Sequence, residues 1–328
     1  MRMKMLAATA AAAALAVTGC QAPGTTSAAA EGGSFEDLRI MVPNSPGGGY
    51  DTTARTAAQV MDAENLTPPV EVFNLDGAGG TVGLARTVTE EGDGNLMMLM
   101  GLGVVGSVYT YKSDSTLADT TPIARMVSEP ETIVVPKDSP YDSLDELIKA
   151  WKANPQGMPV GGGSSPGGPD HLAPHMLAQQ VGITPSDVNY VTYDGGGPLL
   201  AALLGDEVKF GITGYSEISD QIESGTVKVL GVTSDQRLPG LDAPTLKEQG
   251  IDLVFNNWRG LVAPPGISDA QRDALIKLVE DLFKTKGWKK AMAENGWTPM
   301  LLTGEKFEDY IAAENQRVED ILAKLGLV

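Results

Sequence analysis

The groups best placed to do chemistry in this chain belong to its backbone. Gly-rich turns at 46–51, 76–81, 162–170 and 194–198 each follow a short apolar run and lead into a stretch that reads as a helix start. Such a turn exposes unpaired N–H groups beside the positive end of a helix dipole. That makes an anion site without a basic side chain. The plainer role of Gly there is to let the chain turn tightly. Turns 46–51 and 162–170 exceed that need, being longer and richer in Ser and Gly. A hydrogen bond to a charged group contributes about 1.5–3 kcal/mol. Four to six of them, less the costs of association and closure, leave about −8 kcal/mol, which is micromolar affinity.

Three enzyme-like patterns fit less well. Gly163-Ser164-Ser165-Pro166-Gly167 matches the G-x-S-x-G nucleophile elbow. The residue after the nucleophile should donate its N–H to an oxyanion, and Pro166 has none. No His follows His175 to complete a triad. Gly101-Leu102-Gly103-Val104-Val105-Gly106 has the spacing of a dinucleotide turn, but it follows the third apolar run rather than the first. His171 and His175 are four apart, with Pro174 between them and no Glu to complete a zinc-protease motif. The single Cys excludes a disulfide framework and Cys-based metal centres. No catalytic residue, metal or cofactor is expected.

The chain that must position these turns has 328 residues, 42% of them hydrophobic, which suggests two domains with a substantial core. A net charge of −18 argues against nucleic acid as a partner. Strands are expected at 38–43, 70–74, 96–100, 132–135, 158–161, 189–193, 210–213 and 228–233, alternating with turns and helices. That alternation implies an α/β fold with a mostly parallel sheet covered on both faces. Ser143 with Glu146, and Ser268 with Gln271, read as capping boxes. The second starts an amphipathic helix carrying Leu275, Leu278, Val279 and Leu282, and a last helix carries Phe307, Ile311, Val318 and Leu322. No flexible linker divides the chain, so two α/β halves joined by crossing strands near 128–136 and 231–236 are expected.

The N-terminus reads as an address. Arg2 and Lys4 precede the apolar run Leu6–Val17, too short to span a bilayer. Val17-Thr18-Gly19-Cys20 resembles the lipobox of bacterial lipoproteins, with Cys20 as the lipidated residue; an ordinary signal with a coincidental Cys is the alternative. Residues 1–20 are the expected signal and 21–34 a flexible tether. The expected location is extracytoplasmic, lipid-anchored to the cell membrane.

Several motifs in order resemble one family. Val42-Pro43-Asn44-Ser45-Pro46-Gly47-Gly48-Gly49-Tyr50-Asp51 with Ala54-Arg55 is similar to the opening of the tripartite tricarboxylate transporter substrate-binding proteins, the Bug family. Asn74-Leu75-Asp76-Gly77-Ala78-Gly79-Gly80-Thr81, Tyr190–Gly196, Val232–Pro239, Ala243–Gly250 and Trp258–Gly266 resemble its later motifs. The resemblance implies a type II periplasmic-binding-protein fold with a ligand cleft between two α/β domains, residues 35–130 plus 234–328 and residues 131–233. It implies a monomer that captures a small carboxylate, tricarboxylate or dicarboxylate, and delivers it to membrane permease subunits. A receptor feeding a membrane kinase is the rival, and an extracytoplasmic hydrolase a weaker one.

Carried over residue by residue, the first clasp comprises Ser45, Gly47, Gly48, Gly49, Tyr50 and Asp51. The second comprises Gly163, Ser164, Ser165, Gly167, Gly168, Asp170 and His171. Gly101, Tyr193, Thr213 and Asn257 complete the expected ligand-binding set. Asp51 has two open roles, orienting water in the cleft or capping a helix.

Overall fold

The computed structural model describes residue 35 and residues 37–328. The signal, Cys20 and the tether lie outside them. One strand organises the rest. β4 (Thr121–Pro136) runs for 16 residues and is buried from Ile123 to Val135. Its first part, 121–130, pairs antiparallel with β9 (Asn256–Ala263) and, on its other edge, with β10 (Thr298–Thr303). Its last part, 131–136, pairs antiparallel with β7 (Phe210–Gly214) and β8 (Val227–Val232).

Beyond β9 lie β3 (Leu96–Gly101), β1 (Arg39–Val42) and β2 (Glu71–Asn74); β1 is parallel to both β2 and β3. Beyond β7 lie β5 (Val160–Gly162) and β6 (Tyr190–Thr192), all parallel. The path is therefore β2-β1-β3-β9-β4-β7-β5-β6. The sheet is mixed, with its parallel parts at the two ends.

Among the described residues ten helices cover the sheet: α1 (Gly49–Ala63), α2 (Thr81–Thr89), α3 (Leu102–Thr110), α4 (Leu144–Ala153), α5 (Pro169–Val181), α6 (Gly196–Leu204), α7 (Tyr215–Glu223), α8 (Asp269–Lys284), α9 (Lys286–Glu294) and α10 (Glu305–Leu325). α8 begins as expected, with Ser268 and Gln271 forming a reciprocal cap. The Ser143 box differs. Ser143 accepts from the Glu146 N–H, but the Glu146 carboxylate reaches one residue further back, to the Asp142 N–H.

The length of β4 departs from the expected 132–135 strand. Pro122, Arg125, Glu129, Pro130 and Glu131 interrupt its apolar pattern; Arg125 and Glu129 find side-chain partners distant in sequence, Met300 O and Arg259. β9, β10, α7 and α9 were not foreseen either. After β8 the chain reaches β9 through irregular backbone, where the Phe255 N–H donates to Thr233 O and the Thr233 hydroxyl to Phe255 O, at 2.9 and 2.6 Å.

Three apolar clusters form the core. The largest contains Trp258 and Phe307, whose rings meet edge to face at 6.1 Å. Trp258 Nε1 donates to Glu314 on α10 at 2.8 Å, and Arg317 donates to the same carboxylate. Phe307 is fully buried against Gly260 and Trp258. Phe307→Ala is expected to lower the unfolding free energy by about 3–5 kcal/mol, measured by urea denaturation of a chain lacking residues 1–33.

Candidate functional site

A cleft with about 600 Å³ of empty space, mouth included, lies where the carboxyl ends of the parallel strands meet. That volume is in the ordinary range for a small-molecule site. All four Gly-rich turns reach it: Gly48 and Gly49 from the first, Asp76 and Gly79 from the second, Ser164 and Ser165 from the third, Asp194 and Gly195 from the fourth. Open α/β sheets place ligands at this end of their strands.

Turns one and three are built alike. Ser45-Pro46-Gly47-Gly48 leads into α1 and Ser165-Pro166-Gly167-Gly168 into α5. Gly47 and Gly167 both have φ +89°, a left-handed conformation that favours Gly. Gly48 and Gly168 are extended, with φ/ψ of −76°/170° and −75°/171°. In the first turn the Gly47 N–H donates to Asp51 Oδ2 at 2.9 Å; in the other the Gly167 N–H donates to His171 Nδ1 at 3.0 Å. His171 thus occupies the place of Asp51.

Asp51 also accepts from Arg55 and Asn74. Burial alone would push its carboxyl up, but Arg55, the Gly47 amide and Asn74 outweigh burial and hold it below the usual range. Its carboxylate shapes the turn. Asp170 does the same for the other turn, accepting from the Gly163 N–H at 2.7 Å and the Ser164 hydroxyl at 2.6 Å. Burial, with His175 adding repulsion, pushes His171 down to about 3, so it stays neutral and its Nδ1 accepts. The N–H groups of Gly48, Gly49, Ser164 and Ser165 find no acceptor among the described residues. They are the donors the two turns offer to the cleft.

Beneath this cradle lies a buried ion pair that sequence reasoning missed. Arg259 on β9 pairs with Glu129 on β4 and donates to Thr53 on α1 at 3.0 Å. Burial opposes its charge, but Glu129 and Glu217 more than offset that and raise its pKa. A side chain at residue 49 would fall on the Arg259 guanidinium, which explains the Gly where α1 starts. Glu131 is buried with no partner for either oxygen among the described residues, and burial holds its carboxyl well above the usual range. Glu217, on α7, accepts from the Gly196 N–H at 2.8 Å; burial pushes it up to about 8, with Asp170 and Glu129 adding to the effect. Burial likewise pushes Tyr50 up to about 12, so its hydroxyl stays protonated while accepting from the Gly103 N–H.

The two sides of the cleft touch. Ser45 donates to Asp194 across the mouth, the Thr110 hydroxyl donates to Pro166 O at 2.8 Å, and Gly106 packs against the Gly167 backbone. The described conformation is therefore closed.

Of the expected ligand residues, Gly48, Gly49, Tyr50, Gly163, Ser164, Ser165, Gly168 and Asn257 line the cleft. Ser45 stands at its mouth. The others are used elsewhere. Gly47 and Gly167 spend their amides on Asp51 and His171, and Asp51 and Asp170 cap the turns. Gly101 has extended φ and is a Gly because a Cβ would strike Trp258 O. Thr213 is buried in β7, its carbonyl accepting from Thr132. Tyr193 packs against the apolar cluster around Leu199. The His175 ring nitrogen Nδ1 lies 2.6 Å from His171 O.

Two signals for the missed features were present. Ser-Pro-Gly-Gly occurs in both halves, and Arg259 stands alone in the apolar run Trp258–Ala263. Glu217 left none, because it looks like any acid in the first turn of a helix.

A cleft between two α/β halves, lined by helix N-termini, defines a solute receptor of the periplasmic-binding type. The chain belongs to the tripartite tricarboxylate transporter family receptors, whose profile matches residues 53–327. It is 29% identical over 299 residues to protein BugT of Bordetella pertussis, covering 88% of this chain and 89% of BugT. Among solved structures it resembles the periplasmic binding protein BugD, with a TM-score of 0.78 at 26% identity over 89% of this chain and 98% of BugD. It also has the fold of MatC from Rhodopseudomonas palustris with bound malate, with a TM-score of 0.73 at 23% identity, covering 88% and 97% of the two chains. The chain is thus an extracytoplasmic solute-binding receptor for a transporter, and its family and fold are those of receptors rather than enzymes. Among the described residues no helix is long and apolar enough to cross a membrane.

Glu129→Gln removes one partner of a buried pair and is expected to cost about 3–5 kcal/mol in stability, read by urea denaturation. His171 has a lowered folded pKa, so its contribution is present above about 6.5 and is lost as the pH falls towards 3. His171→Asn keeps an acceptor for the Gly167 amide without the titration. Its melting temperature should therefore fall less than the wild type's between pH 7 and pH 5.

Proposed function

We propose that the chain captures a small organic carboxylate between its two S-P-G-G turns and presents it, closed, to the permease subunits of a tripartite tricarboxylate transporter. The observation that carries this reading is the pair of matched turns facing one cleft with uncommitted amides. A carboxylate accepting from Gly48 and Gly49 on one side and Ser164 and Ser165 on the other ties the halves together. It therefore favours the closed state over an open one. The moving halves are residues 35–130 with 234–328, and residues 131–233; the change of partners along β4 at residues 130–131 is the natural hinge. Tyr50, a protonated donor, and Asn257 complete the contacts. The malate bound to MatC supports a dicarboxylate of similar size. The receptor acts as a monomer, held to the outer face of the membrane through lipid on Cys20.

The test is a thermal-shift screen of di-, tri- and aromatic carboxylates on a chain lacking residues 1–33. A ligand at a hundred times its Kd stabilises by about 2.7 kcal/mol, a shift of several degrees. No shift with any carboxylate overturns the reading. Gly48 has φ −76°, which Pro adopts, so Gly48→Pro deletes one donor while suiting the backbone. Its affinity for the best ligand should drop at least tenfold by calorimetry.

A further inference from the structure

The floor of the cleft carries more acid than its one cation can neutralise. Glu129 and Glu131 on β4, Asp170 on α5 and Glu217 on α7 gather around a single guanidinium, that of Arg259 on β9. Arg259 is paired with Glu129, whose carboxylate also accepts from the Ser216 N–H in the first turn of α7, at 3.4 Å. Asp170 is served by the Gly163 N–H and the Ser164 hydroxyl. Glu131 is fully buried and has no donor for either oxygen among the described residues. Tyr50 on α1 and Tyr190 on β6 complete this floor, and burial keeps both hydroxyls protonated. Asp76 and Asp194 add two further acids to the cleft lining.

Glu217 is the member whose surroundings change when the halves separate. It lies in residues 131–233 and lines the cleft, whereas Gly49, Glu129 and Arg259 belong to the other half. Its Oε2 is anchored within its own half by the Gly196 N–H at 2.8 Å. Its Oε1 has no donor among the described residues and lies 3.0 Å from where a Cβ on Gly49 would stand. In an open cleft that oxygen meets water, and a solvated glutamate is ionised at neutral pH. Closure strips the water and sets Glu217 beside Glu129. A solute carboxylate on the Gly49 amide adds a second negative charge next to it. Both changes penalise the ionised form. Arg259 opposes them only in part, because its charge is already shared with Glu129.

We propose that the receptor takes up a proton together with its solute: Glu217 is ionised in the open cleft and gains a proton from solvent on Oε1 as the halves close. This rests on the capture-by-closure reading above and adds a linked proton to it. The neutral carboxyl has a hydrogen to donate where the ionised one had only lone pairs. In the closed form burial pushes Glu217 up to about 8, against about 4.3 for a solvated glutamate. About three-quarters of a proton is then taken up per solute at pH 7.5. With the pKa raised in the closed form, capture is tightest at low pH, weakens as the pH rises towards 8 and levels off above it. His171 and His175 do not contribute, because burial holds both neutral across that range.

The experiment is calorimetry of malate binding at pH 7.5 in buffers of different ionisation enthalpy, phosphate and Tris among them. The tightest binder of the carboxylate screen replaces malate if malate does not bind. The dependence of the heat on the buffer gives the protons exchanged, after correction for the probe's own titration. The expected result is uptake of at least about half a proton, with a Kd that rises about tenfold or more between pH 6.5 and pH 8.5. Glu217→Gln keeps an acceptor for the Gly196 N–H and cannot ionise. It should cut the uptake to below about a fifth of a proton, hold its affinity within about threefold across that pH range, and bind more tightly than the wild type at pH 8.5. Binding without proton uptake, or uptake that persists in Glu217→Gln, overturns this inference and leaves carboxylate capture standing. Failure of every carboxylate to bind overturns both. If Glu217→Gln does not fold, Glu217→Ala takes its place, with the same expected loss of uptake.

Discussion

The buried Arg259–Glu129 pair is the interaction on which the rest of the architecture depends. Glu129 sits on β4 just before that strand changes partners, and Arg259 sits on β9 beside it. Through Thr53, whose hydroxyl in turn donates to Gly49 O, the guanidinium also fixes the first turn of α1. One ion pair therefore ties the strand that passes between the halves to the helix end that faces the cleft. Buried pairs are weak devices for stability, because desolvation cancels most of their attraction. Their usefulness here is positional, since few other contacts could hold a helix start, a crossing strand and a neighbouring strand in register from one point.

The same pair explains why backbone amides line the cleft. Arg259 lies close enough to Gly49 that any larger residue there would collide with it. Its charge is consumed internally, so main-chain N–H groups, with a few neutral side chains such as Tyr50 and Asn257, are the donors left facing the cleft. The amides are rigid, because each turn is braced from within by Asp51 or by His171 and Asp170. Preorganised donors of this kind lose little freedom on binding.

Much of this was legible in the residues themselves. The alternation of apolar runs, glycines and amphipathic stretches was enough to indicate an α/β fold and the four turns, since each signal is local. The cap at Ser268 and the apolar stripe of α8 followed from spacing alone. What stayed hidden depends on pairing at long range. β4 looked like a broken run because its Arg125 and Glu129 are tolerable only beside partners more than a hundred residues away, Met300 O and Arg259. Gly101 stood in the expected ligand set and Asp51 was left with two roles, because a residue type cannot reveal what its backbone or side chain already touches. The acidity of the cleft was invisible for the same reason: Asp76, Asp194 and Glu217 come from three separate segments.

The two S-P-G-G turns match in conformation but not in the residue that follows. Gly49 opens α1 with an N–H to offer, whereas Pro169 opens α5 without one. A clasp made of near-identical arms is thereby left lopsided. Even a molecule with two interchangeable ends would find unequal seats, and one of its two orientations would be preferred. Whatever accepts the cargo from this receptor would then meet the same end of it every time.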